Sequence, residues 1–290
     1  MALEELKILE KLLPELRQDA SVVLGPGDDC AVLKTSEGTE LLAAVDQLAR
    51  DVHYTADTPP GLAGEKLLKR NLSDIAAMGG EPRWALLTVA AGGRDAAWVL
   101  EFCRGVGRCA AKYHVPVAGG DLAGLKADTE VATLTILGEV PAGRAIRRCG
   151  ARPGDALYVT GEVGNSFATG HHLTFSPRLD EGVFLRGKAT AMLDISDGLL
   201  LDASRLARAS QVDLKLDAAH VPLRSGAKLP DALSDGEDYE LLFTAPPGLE
   251  KLWKSDLAKL TRIGEVLPGT GRVLDGRGKE YNLDRIGYEH

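Results

Sequence analysis

Hydrophobic residues along this chain fall into two kinds of pattern. Short apolar runs bounded by polar or glycine-containing turns predict strands at 40–45 (ELLAAV), 84–91 (WALLTVAA), 131–140 (VATLTILGEV), 156–163 (ALYVTGEV), 191–195, 212–216 and 240–245. Helical spacing fills the intervals. In 60–80 (PGLAGEKLLKRNLSDIAAMGG) Leu68, Leu72, Ile75 and Ala76 share one face, and Gly79-Gly80 ends the helix. Residues 95–113 and 196–210 predict two more helices, and Leu3, Leu6, Leu9, Leu13 and Leu16 mark an amphipathic one at the N-terminus. Strands and helices mix without strict alternation, which predicts an α+β fold of two α/β units.

An internal echo supports two units. LTILGEVPAG begins at Leu134 and LTRIGEVLPG at Leu260, each closing a strand-rich half. The Gly, Pro and charge content of RRCGARPGD (147–155) suits the junction, so the domains are expected at 1–148 and 149–290.

Composition narrows the function classes. With 34 basic and 42 acidic residues the net charge is −8 and basic runs are lacking, which argues against a nucleic-acid surface. There is no uninterrupted apolar segment of membrane-spanning length, and acidic residues stand where a signal peptide carries basic ones. Cys30, Cys103, Cys109 and Cys149 form no C-x-x-C pair, which reads as reduced thiols in a cytoplasmic protein.

The chemistry-bearing residues are carboxylates. Asp28-Asp29 follow a glycine turn in LGPGDDCAVL; Asp46 ends an apolar run; Asp74 lies late in a helix; Asp121 closes VPVAGGD; Asp194 and Asp197 fall in LDISDG; Glu237 and Asp238 sit in SDGEDYE. Each has an ordinary reading: Asp28 a turn former, Asp197 an N-cap, Asp74 a helix-surface partner of Arg70. As a set they cluster beside Gly or Ser at strand ends, where α/β folds place ligands. Several ionised carboxylates in one cleft repel unless a cation intervenes, and hard oxygen ligands suit Mg²⁺. Neither G-x-x-x-x-G-K-[ST] nor G-x-G-x-x-G occurs, so a nucleotide would be held through metal ions instead of a P-loop. H-E-x-x-H and G-x-S-x-G are absent too, and His171-His172 reads as a loop pair.

The ordered segments GPGDDCAVL, VDQLARDVHY, RNLSDIAAMGGEPRWALLTVA, AGGD, GRAIRRCGARPGDALYVTG, DISDGLLLDASRLA and SDGEDYELLFT resemble thiamine-monophosphate kinase, within the aminoimidazole ribonucleotide synthetase-like superfamily. The resemblance implies ATP-dependent, metal-assisted in-line phosphorylation of thiamine monophosphate to thiamine diphosphate in a cytoplasmic homodimer. It also implies an N-terminal ferredoxin-like sheet domain forming a dimer barrel. Asp28, Asp29, Asp46, Asp74, Asp121, Asp194 and Asp197 would hold Mg²⁺, with Asp74, Asp121 and Asp197 counted as catalytic. Gly120, Asp121, Arg148 and Ser196 would contact ATP, and His53, Glu237 and Tyr288 would face the thiamine portion.

Four departures bear on this expectation. Leu122, Ala123, Gly124 and Leu125 replace a Thr-Thr-Arg-Gly run; Ala44, Val45, Asp46 and Gln47 replace Ser-Thr-Asp-Thr; Asp235 replaces a glycine; and GEVGNSFATGHHLTFSPRL is short, implying a missing or truncated helix in the C-terminal domain. One lost charged phosphate contact costs roughly 1.5–3 kcal/mol, which fits a slower kinase or a changed acceptor. The alternatives are a superfamily member using Mg-ATP on another acceptor, or a non-catalytic nucleotide-binding protein.

Overall fold

The structure, a computed structural model, describes residues 22–24, 28–35 and 38–283; the N-terminal amphipathic helix and Tyr288 lie outside them. Packing divides the chain into two units. The first runs to Asn71 and takes in Pro82–Gly143, while the second takes Leu72–Glu81 and the chain from Arg144. The expected boundary after residue 148 thus becomes a division at Gly143/Arg144, with a short excursion at Leu72–Glu81 counted in the second unit.

In the first unit, β1 (Val22–Leu24), β2 (Ala31–Lys34), β3 (Thr39–Ala49), β4 (Glu81–Ala91), β5 (Val117–Gly124) and β6 (Glu130–Pro141) form one sheet in the order β1-β2-β3-β6-β4-β5. β3 and β6 pair antiparallel from Thr39↔Pro141 to Ala49↔Val131. Period-two alternation sends Ala132, Leu134, Ile136 and Val140 of β6 into the core. α1 (Pro60–Ala77) and α2 (Ala96–Lys112) flank β4, and Asp95 caps α2 by accepting the Trp98 N–H at 2.8 Å. The two helices meet at small residues: a Cβ on Gly64 would lie 2.1 Å from the Phe102 carbonyl oxygen. β4 and β5 run parallel, joined by α2 as a βαβ unit. That order and this parallel pair correct the ferredoxin-like expectation, which requires an antiparallel sheet with its first and third strands at the centre.

In the second unit, β7 (Ala156–Thr160), β8 (Ala191–Asp194), β9 (Val212–Leu216), β10 (Leu241–Ala245), β11 (Leu260–Pro268) and β12 (Val273–Leu274) are ordered β12-β9-β11-β7-β10-β8. Every residue of β7, β8 and β10 is buried. Alternate side chains feed separate cores on the two faces. Leu157, Val159, Leu193 and Leu242 pack with α5 (Leu199–Ser210) on one face, and Tyr158, Met192, Leu241 and Phe243 pack with Ala76, Ala77 and α4 (Leu179–Leu185) on the other. Unbroken apolar runs such as ALYV are the sequence mark of strands covered on both sides, and each fully buried Leu or Phe contributes about 1.5–3 kcal/mol. Between β7 and β8 a single helical turn, α3 (His171–Thr174), precedes α4, and α6 (Leu229–Ser234) follows β9. The echoed decapeptides lie in β6 and β11, each an antiparallel partner of the first long strand of its sheet, β3 or β7. The strand orders otherwise differ.

Candidate active site

The second unit gathers acidic side chains around the end of α1 and the end of β8. α1 stays helical to Ala77 because its Leu-rich face is fully buried and Gly79, at φ 67°, turns the chain out afterwards. That length sets Ser73 and Asp74 beside the last residue of β8. Ser73 donates its hydroxyl to Asp194 Oδ2 at 2.5 Å, and carboxylate oxygens of Asp74 and Asp194 lie within 4.8 Å of each other. Asp194 is only 5% exposed. Two carboxylates this close, one buried and one half-buried, are the donor set a hard divalent cation neutralises.

Residues 195–198 and 235–239 pack against each other backbone to backbone. Glu237 N–H donates to Ser196 O at 2.7 Å and Tyr239 N–H to Ile195 O at 2.8 Å. A Cβ on Gly236 would fall 2.5 Å from Ser196 O, so only glycine allows this approach. The expected capping role of Asp197 is overturned here: the N-cap of α5 is Gly198, at φ 113° and without a side-chain cap. The loop is held instead from inside the helix. Asp202 Oδ2 accepts the N–H groups of Ser196 (3.1 Å) and Asp197 (3.0 Å), and its Oδ1 accepts from Arg205 at 2.6 Å. Arg205 also pairs with the Asp197 carboxylate. Full burial pushes the Asp202 carboxyl up to about 7, with the Arg205 charge opposing and Asp197 reinforcing the rise.

Glu237 is 7% exposed and adopts φ 63°, the left-handed region; Ser166 donates its hydroxyl to the Glu237 carbonyl at 2.6 Å. The neighbouring Asp238 takes both oxygens to the Gly164 N–H (3.0 and 2.8 Å) and pairs with Arg224 at 3.0 Å. Burial still raises its carboxyl to about 7. Arg178 forks onto Glu240 at 2.5 and 2.6 Å. Arg148 is anchored by its carbonyl, which accepts from Ser210 Oγ at 3.0 Å.

The first unit treats its expected residues differently. Asp46 lies within β3, not at its end, and pairs with Arg70 at 3.5 Å, while Arg70 Nη1 donates to the Gln47 carbonyl at 3.0 Å. His53 is buried in a turn, its Nδ1 accepting the Ala49 N–H at 3.0 Å and its carbonyl accepting from the fully buried Lys66. Asp28 and Asp29 are half-buried just before β2. Asp121 sits on β5, all eight residues of which are exposed. Gly120 is required there because a Cβ would meet the Leu87 carbonyl oxygen at 1.7 Å; strand pairing alone demands the glycine.

Several contributors escape a reading by motif. Ser73 is one residue before a carboxylate that was singled out. Asp202 stands five residues after Asp197 in DGLLLD, one turn into the helix, and that spacing was its available signal. Phe167 and His172 carry no motif.

Comparison with known proteins fixes the class first. Residues 27–140 match the family model of AIR synthase related protein, N-terminal domain, so that stretch is similar to an AIR-synthase-related N-terminal domain. Across 326 aligned residues the chain is 33% identical to thiamine-monophosphate kinase of Escherichia coli strain K12, covering 100% of this chain and 99% of the relative. Thiamine-monophosphate kinase of Bacillus subtilis strain 168 is 30% identical over 99% of both chains. The solved structure of AaThiL complexed with AMPPCP and TMP superposes with a TM-score of 0.85 at 29% identity, covering 100% of this chain and 99% of that one. The chain belongs to the thiamine-monophosphate kinase family.

Proposed function

We propose that this chain transfers the γ-phosphoryl group of ATP to the phosphate of thiamine monophosphate, releasing thiamine diphosphate and ADP. Full-length family membership carries the reading, supported by the neighbouring AaThiL structure that binds AMPPCP and TMP. The acceptor is a phosphate monoester with a second pKa near 6, so its oxygen is already a competent nucleophile at neutral pH without a general base. The remaining difficulty is to bring two polyanions together in line.

The residues present fit Mg²⁺: half-buried Asp74 and buried Asp194 form a close carboxylate pair. We assign these two and Asp197 as its ligands in the second unit, and Asp28, Asp29, Asp46 and Asp121 as carboxylates of the first unit with the same task. When bound, the ion offsets phosphate charge and polarises the transferred group. The protein's own part is positioning. Asp202 and Arg205 fix the loop carrying Ser196 and Asp197. Ser196, Gly120 and Arg148 serve the nucleotide, while His53, Glu237 and Tyr288 serve the thiamine portion.

Purified protein with Mg-ATP and thiamine monophosphate is expected to form thiamine diphosphate, and EDTA to abolish it. Turnover of thiamine but not of its monophosphate would overturn the reading. The exposed apolar Leu122 and Leu125, standing where hydroxyls and a cation were expected, favour a second reading: another phosphate acceptor. Rapid phosphate transfer to a different monoester, with thiamine monophosphate inert, would select it.

We also assign a homodimer through the first unit's sheet. Trp84 and Leu86, which share one face of β4, expose 43% and 44% of their surface, apolar area of the kind that marks an interface. Leu86→Glu is expected to halve the mass measured by light scattering; an unchanged mass would refute this interface. Four free cysteines fit a cytoplasmic setting, and among the described residues no helix is long and apolar enough to cross a membrane.

A further inference from the structure

A side-chain group outside the phosphate machinery lies in the second unit, in and beside the short α3 turn. The Phe167 ring stacks on the His172 imidazole with centroids 4.1 Å apart and planes 17° from parallel, yet Phe167 keeps 47% of its surface exposed. His172 is 4% exposed, and its Nδ1 lies 3.2 Å from Glu237 Oε2. Glu237 is held in its left-handed conformation by hydrogen bonds at both its N–H and its carbonyl. Nearby in the chain, Phe175 stacks on Tyr239 with centroids 4.1 Å apart.

Ordinary core packing accounts for Phe175 and Tyr239, which are buried. It does not account for a half-exposed ring stacked on a buried imidazole, nor for a non-glycine residue held at positive φ with its carboxylate bound to that imidazole. Strain of that kind persists where the surroundings over-determine it, commonly at ligand clamps. A half-exposed aromatic ring stacked on an imidazole that itself pairs with a carboxylate matches one ligand chemistry: a flat, cationic nitrogen heterocycle. The ring face attracts the cation, and the carboxylate offsets its charge or accepts its N–H groups.

We propose that Phe167 and His172 form, with Glu237, the shelf that selects the acceptor's ring system. Phe167 stacks on the heterocycle, and His172 is a positioning residue that holds the Glu237 carboxylate toward it. The assignment rests on the reading of thiamine monophosphate as acceptor, whose thiazolium and aminopyrimidine rings supply that chemistry.

Steady-state kinetics of the full chain tests the shelf. Phe167→Ala is expected to raise KM for thiamine monophosphate about tenfold, the effect of losing one desolvated cation–π contact, with kcat and the KM for ATP within twofold of wild type. Phe167→Tyr should restore it and Phe167→Leu should not. His172→Ala should raise the same KM, and His172→Asn, which keeps a donor near Nδ1, should recover most of the loss. Phe167→Trp retains a ring and reports binding without turnover: thiamine monophosphate added without ATP should quench the extra indole fluorescence relative to wild type. An unchanged KM in Phe167→Ala, or no quenching in Phe167→Trp while wild type turns over, overturns the shelf. Wild-type protein inert toward thiamine monophosphate defeats the functional reading instead, and quenching by thiamine in Phe167→Trp would then still support the shelf. Should Phe167→Ala fail to fold, the Phe167→Trp titration decides.

Discussion

Asp194 and Asp121 belong to the same expected ligand set, yet their surroundings are opposite. Asp194 ends a strand buried on both faces, is 5% exposed, and is fixed by the Ser73 hydroxyl. Asp121 stands on an edge strand with all eight residues exposed. The first arrangement orders its donors before any ligand arrives, so little conformational entropy remains to be lost on binding. The second depends on whatever covers or fills its surroundings. Evolution can alter the second cheaply, and that is where the Leu122–Leu125 departure sits.

This contrast predicts a split between activity and stability. Asp194→Asn and Asp121→Asn should each lower kcat for thiamine diphosphate formation by roughly a hundred- to a thousandfold, the cost of removing one preorganised electrostatic partner. Only Asp194→Asn should change the metal-free protein. It relieves repulsion from Asp74 and should raise stability in EDTA by about 1 kcal/mol, whereas Asp121→Asn should stay within about 0.5 kcal/mol of wild type. Equal thermal shifts in the two variants would erase the distinction.

Asp202→Ala ranks next. It removes a fully buried acceptor from two backbone N–H groups and one guanidinium, and should cost about 3 kcal/mol in urea unfolding. The loop bearing Ser196 and Asp197 would lose its anchor, so the KM for ATP should rise as well. A Ser196–Asp197 loop that kept its hydrogen-exchange protection in this variant would show that the anchor lies elsewhere.

Acid stability gives a smaller effect. Burial, with Arg224 and Arg178 nearby, lowers the His171 pKa from its ordinary 6.5 to about 4. The unfolded chain binds that proton more readily, so stability is fully present above about pH 6.5 and is lost as pH falls toward 4. Discounted for the ring's partial exposure, the loss is about 1–2 kcal/mol. The titration of Asp238, with its carboxyl raised to about 7, runs the other way: its contribution is present below about pH 4 and lost as pH rises through 7. Comparing His171→Gln with wild type isolates the histidine. The variant should lose less stability between pH 7 and pH 4.5; an identical pH profile would contradict the assignment.

Much of the framework was legible because it follows from periodicity. The strand 212–216 appears over the same residues, and the helices expected at 60–80, 95–113 and 196–210 form as α1, α2 and α5. β5 was missed because VAGGDLAG has neither alternation nor β-branched density, and it pairs with β4 as a sheet edge. α4 was missed because LDEGVFL is short and its glycine is buried against the Ala76 carbonyl. The candidate ligands could be picked out singly. What holds them could not, because Asp202, Ser73 and His172 acquire meaning only from the residues that folding places beside them. Asp197 shows the converse: an N-cap by local rule, it yields that place to Gly198 because Asp202 already satisfies the loop's N–H groups.

The measurement that bears most directly on this account follows the transferred group. With ATP labelled at the γ-phosphate, Mg²⁺ and thiamine monophosphate, the label should appear in the terminal phosphate of thiamine diphosphate, one equivalent per ADP formed. Label released as inorganic phosphate while thiamine monophosphate is recovered unchanged would contradict it.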